Sequence, residues 1–87
     1  MAIIKKKVWP EFFQKILEGT KTYELRLADF DIQEGDTLVL EEYNSETKEY
    51  TGRKIEKKVT FVGKTKDQPF WPKEDVDKYG FQIIAFK

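Results

Sequence analysis

Lys21, Glu24 and Arg26 place an ammonium, a carboxylate and a guanidinium in the short stretch Gly19-Thr20-Lys21-Thr22-Tyr23-Glu24-Leu25-Arg26. Arg26 can grip a phosphate through two parallel N–H groups, Lys21 adds a point charge, and Glu24 can accept from a nucleobase or amide N–H. Two plainer roles fit the same residues. One is a set of exposed ion pairs, which are common and contribute little. The other is a polar network joining a helix to a sheet.

The elements around this cluster are legible from period and punctuation. Ile3, Ile4 and Val8 bracket Lys5-Lys6-Lys7, which suits a first strand. Its lysines serve either as a phosphate-attracting strip or as an edge guarded against aggregation. Pro10 and Glu11 suit the first turn of a helix. Trp9, Phe12, Phe13, Ile16 and Leu17 recur at helical spacing and are expected to form one core-facing stripe. Gly19 suits the left-handed cap that ends the helix. The next strand runs from about 21 to 27. Its alternation puts Tyr23, Leu25 and Leu27 on one face, expected to meet the core, and Thr22, Glu24 and Arg26 on the other, facing away from it or into a polar cavity.

A connection over 28–32 and a turn at Gln33-Glu34-Gly35-Asp36 precede the clearest strand, Thr37 to Tyr43. The polar run 44–48 predicts a hairpin returning over Glu49 to Val62, with Gly52 marking a bulge or bend. Along that return Ile55, Val59 and Phe61 share a face opposite Lys54, Glu56, Lys58 and Thr60. Residues 63–79 are irregular, with one helical turn available over 73–78. Phe70 and Trp71 stand between Pro69 and Pro72, either to stack a base or to close over the core. Phe81 to Phe86 is a final, largely buried strand.

Composition narrows the function classes. At 87 residues the chain is one domain, able to bury roughly 60–65% of its unfolded surface. It has no cysteine and no histidine, so it lacks a disulfide, a thiolate, an imidazole base and the usual zinc ligands. The 16 basic and 16 acidic residues balance, unlike a nonspecific nucleic-acid coat. No apolar run spans a membrane and no signal peptide is visible, so the expectation is a cytoplasmic, monomeric domain without a cofactor or metal. One helix and many strands in so short a chain suggest α+β, mainly β architecture: a small barrel of about five to six strands capped by the N-terminal helix.

The helix leading into Gly19-x-Lys21-x-x-Glu24-x-Arg26-Leu27 resembles the signature of the ASCH domain family, in the PUA-like superfamily. Gly35-Asp36 before an apolar strand and the closing Tyr79-Gly80-Phe81-x-Ile83-x-Ala85-Phe86 resemble the same family, so the likeness covers nearly the whole chain and implies a single domain over residues 1–87. The hairpin 43–53 looks like a small uncharacterised branch. The resemblance implies a PUA-like β-barrel with an RNA-binding cleft between barrel and helix, lined by Lys21, Glu24 and Arg26. It also implies RNA or a nucleotide-like small molecule as partner. Lys5, Lys7, Arg53, Lys57 and Lys64 are nearby basic candidates.

Some ASCH relatives are enzymes. One branch hydrolyses acylated cytidines with the motif Gly-x-Lys-Thr-x-Thr-x-Arg and a further downstream Glu. Lys21 and Thr22 match, but Glu24 replaces the second Thr and cannot be the same hydroxyl nucleophile. Glu56 and Glu74 are the candidates for the downstream carboxylate. Another branch cleaves RNA, which here would need Lys21 or Glu24 as acid or base. A third class is a protein-interaction adaptor working through Phe70 and Trp71.

Overall fold

The computed structural model describes residues 1–65 and 72–87. In chain order these form β1 (Ile3–Val8), α1 (Pro10–Leu17), β2 (Tyr23–Leu27), β3 (Thr37–Asn44), β4 (Glu49–Lys64), α2 (Lys73–Tyr79) and β5 (Phe81–Phe86). The five strands make one sheet in the order β1-β3-β4-β5-β2. β1 runs parallel to β3, and the remaining neighbours are antiparallel. The domain is therefore mainly β, with two helices. The second helix is longer than the single turn anticipated over 73–78. No helix is long and apolar enough to cross a membrane among the described residues.

β4 serves both halves of the sheet. Residues 49–58 pair with β3, and 59–64 pair with β5. Two irregularities bend it. Gly52, at φ +95°, lies where the register with β3 shifts between Glu41 and Tyr43, and a positive φ is accessible there because glycine lacks a Cβ. The second shift falls between Val59 and Phe61. It breaks the simple alternation expected from the sequence: Val59 is buried, Phe61 is 64% exposed, and Val62 packs on the core instead. The sheet's edges are β1 and β2, and no backbone ladder joins them among the described residues.

The core gathers Val8, Phe13, Ile16, Ile32, Leu38, Leu40, Val59, Ile84 and Phe86. α1 reaches it with Phe13 and Ile16 alone. Trp9, Phe12 and Leu17 are 51%, 39% and 49% exposed, so the expected single stripe is split between two environments. An eight-residue helix packed against β3 can bury only a narrow arc. In β1, Val8 is buried and Ile4 packs against the core, while Lys6 lays its ammonium 3.8 Å from the centre of the Phe30 ring.

β2 faces opposite to expectation. Residues directly paired across a ladder point to the same side. Glu24 pairs with Ile84 and Arg26 with Gln82, and both partners are fully buried. Glu24 is therefore turned inward, at 5% exposure, while Tyr23, Leu25 and Leu27 stand outward and about half open. Alternation groups residues by face, but the neighbouring strand decides which face lies inside. β5 is split in the same way: Gln82, Ile84 and Phe86 are buried, whereas Phe81 and Ile83 are exposed.

Candidate functional site

The link from α1 to β2 builds the site. Gly19 adopts φ +83° and its N–H donates to the Ile16 carbonyl. The N–H groups of Thr20 and Lys21 both donate to the Lys15 carbonyl at 3.0 Å. These bonds satisfy carbonyls that the helix end leaves open. They also hold the backbone of Lys21 beside the last turn of the helix.

Lys21 Nζ donates to Glu24 Oε1 at 2.9 Å, and Arg26 Nε donates to Glu24 Oε2 at 2.6 Å. Each carboxylate oxygen thus has its own cation. Glu24 would be costly to bury unpaired, and this double pairing offsets the desolvation. The second arm of Arg26 donates through Nη2 to the carbonyl of Lys7. One guanidinium therefore spans from β2 to β1, across the gap between the sheet's two edges.

These groups line a cleft of about 510 Å³, together with Lys7, Val8, Trp9, Phe12, Tyr23 and Leu25. The size falls in the range of small-molecule sites. Lys21 Nζ lies 5.5 Å from the Phe12 ring centre and 5.0 Å from that of Tyr23. Trp9 and Phe12 stack at 6.1 Å with 17° between their planes. The cleft thus combines three aromatic rings with a carboxylate and three basic residues. Chemically it can stack a flat ring, accept from its N–H edge and attract an anionic substituent.

The structure brings the three sequence-predicted residues into one site. Phe70 and Trp71 lie outside the described residues. Of the other basic candidates, Lys7 lines the cleft, whereas Lys5, Arg53, Lys57 and Lys64 are not among its lining residues. Arg53 is committed elsewhere. Its Nε and Nη2 hold the two oxygens of buried Glu42 at 3.0 and 2.8 Å, and Thr51 Oγ1 donates to the same carboxylate. The Arg53 guanidinium, followed by the Thr51 hydroxyl, holds the Glu42 carboxyl below the usual range, and Glu42 pushes Arg53 up in turn. Neither Glu56 nor Glu74 lines the cleft. The described residues contain no acidic cluster suited to a metal ion.

Sequence reasoning missed the aromatic wall. Helical spacing assigns Trp9 and Phe12 to the core, because spacing alone cannot measure how wide an arc the sheet covers. The available signal was the pairing of Trp9 with Pro10. A large ring immediately before the first helical turn stands at the helix's lip.

The fold and cleft define a small, mainly β domain with a polar triad between its helix and one sheet edge. The chain belongs to the DUF3850 family, a domain of unknown function, whose profile matches residues 3–73. It is 39% identical over 56 residues to an uncharacterised 12.9 kDa protein from the GpA 3' region of Escherichia phage P2. The match covers 64% of this chain and 50% of the relative, so it spans about half of the relative's length. Among solved structures, the hypothetical protein PH0355 superposes with a TM-score of 0.65. That comparison covers 100% of this chain and 98% of the other at 20% identity, a likeness of fold alone.

Proposed function

We propose that this protein is a cytoplasmic RNA- or nucleotide-binding domain of ASCH type, its curved sheet being a variant of the PUA-like barrel. Its ligand site is the cleft of Lys21, Glu24 and Arg26. The observation that supports this reading most is the meeting of that triad with Trp9, Phe12 and Tyr23 in one cleft. A nucleobase stacks on the rings, the Glu24 carboxylate accepts from the base's N–H edge, and Lys7, Lys21 and Arg26 attract phosphate. The zero net charge fits a ligand with few phosphate contacts and a shallow dependence on salt.

A second reading, hydrolysis of an acylated cytidine or of RNA, draws on the Lys21–Glu24 hydrogen bond, a ready amine–carboxylate pair.

An NMR titration of labelled protein with cytidine, N4-acetylcytidine, CMP and a short single-stranded RNA tests both readings. Shifts at Trp9, Lys21, Glu24 and Arg26 are expected for the binding domain. Release of acetate over time, abolished by Lys21→Ala, would replace it with the enzyme. The absence of shifts at millimolar ligand would overturn both.

A further inference from the structure

The outward face of β2, β5 and β4 is apolar across three strands. Tyr23 pairs with Ala85, Leu25 with Ile83 and Leu27 with Phe81. On the far side of β5, Phe61 pairs with Ala85 and Gly63 with Ile83. Partners in register share a face, so these eight positions form one continuous surface. None carries a charge, in a chain that is 37% charged.

Its six large side chains are 41–64% exposed. At ~200 Å² for a large side chain, they present on the order of 600 Å² of open apolar surface. That is the upper end of the largest apolar patch on an isolated monomer, a size that is often functional.

We infer that this face is the interface of a homodimer, formed by apposition of the β2–β5–β4 faces of two copies. Two surfaces of this size bury about 1,200 Å² in total, which reaches the lower bound of stable, specific interfaces. A symmetric dimer requires a patch that complements itself. An uncharged face meets its own copy without like-charge repulsion, whereas recognition of a different partner is steered by charge pattern. The balance of 16 basic and 16 acidic residues also removes net repulsion between approaching copies. This proposal departs from the monomer expected from the sequence. Tyr23 and Leu25 belong both to this face and to the cleft wall, so the second copy stands at the lip of the ligand site.

Sedimentation equilibrium of the full chain, compared with Ile83→Lys and Phe61→Lys, tests the inference. Neither substituted residue lines the cleft. The unmodified chain is expected to be dimeric at submillimolar concentration. Each lysine should raise the dimer dissociation constant roughly a hundredfold, because two unpaired charges become buried per dimer. A second readout does not depend on those variants folding. In a mixture of isotope-labelled protein and unlabelled Ala85→Cys protein carrying a spin label, broadening should appear at Leu25, Phe61 and Ile83 of the labelled copy. A monomer at submillimolar concentration would overturn the inference and leave the face to another protein or a lipid surface. A dimer with no broadening at those residues, or one that folded lysine variants leave intact, would overturn it equally.

Discussion

Arg26 donates to the backbone carbonyl of Lys7, tying together the two edge strands, β2 and β1, which no backbone ladder joins among the described residues. The same guanidinium holds Glu24. A residue that looks like a ligand-binding arginine in sequence is therefore also a clasp between β2 and β1. These contacts use the N–H of Nε and one of Nη2, so a phosphate would bind through the remaining N–H groups of the fork.

Substitution of Arg26 should consequently affect both binding and folding. Arg26→Ala is expected to cost about 2–3 kcal/mol of stability, since the charge-assisted hydrogen bonds to Glu24 and to the Lys7 carbonyl are both lost while Lys21 still pairs with Glu24. Arg26→Lys keeps the charge but cannot reach both acceptors in the same planar fork, so it should recover only part of the loss. Urea unfolding of the two variants, alongside the ligand titration, separates the contributions. Full stability in Arg26→Ala would show that the clasp is energetically idle.

Trp9, which caps the start of α1, and Phe13, one turn into it, should respond in opposite ways. Phe13 is 1% exposed, and its truncation to alanine should cost ~3–5 kcal/mol of stability. Trp9 is half exposed on the cleft wall. Trp9→Ala should change stability little and weaken nucleotide binding by ~1–3 kcal/mol through loss of stacking. Calorimetric titration of folded Trp9→Ala with CMP checks this; unchanged affinity would remove the ring from the site.

Acid should weaken the fold partly through Glu42. Its carboxyl is held down in the folded state by Arg53 and then by Thr51. A carboxyl lowered by folding contributes stability above its unfolded pKa and loses it as pH falls through the folded value. Asp36 acts in the same direction, because the N–H groups of Ala2 and Gln33 donate to it. Stability should therefore fall below about pH 4. In Glu42→Gln the drop should be shallower, as denaturant midpoints measured across pH will show. An identical acid profile in the variant would leave Glu42 without a part in it.

Gln82 should be replaceable with profit. It is fully buried, its Nε2 reaches the Phe30 carbonyl only at 3.4 Å, and its Oε1 has no hydrogen-bond partner among the described residues. Gln82→Met fills similar volume without the unsatisfied oxygen, and a gain of about 1 kcal/mol is expected. Thermal melts of the two proteins decide the point. A lower melting temperature would indicate that the amide is satisfied in solution.

Much of the chain was readable before its fold was known. Pro10 and Gly19 bounded α1, the hairpin announced itself through residues 44–48, and the spacing of Lys21, Glu24 and Arg26 marked the cluster. These features are local: a proline, a positive φ and a strand's period act within a few residues. What remained hidden depends on residues far apart in the chain. The pairing of β2 with β5 turned Glu24 inward and left Tyr23, Leu25 and Leu27 facing out. The irregularity between Val59 and Phe61 moved Phe61 from the expected inner face to the outer one. The narrow contact of α1 with the sheet left Trp9 and Phe12 on the cleft wall rather than in the core. Side-chain periodicity establishes which residues travel together. Only the strands and helices that pack on either side determine where that group ends up.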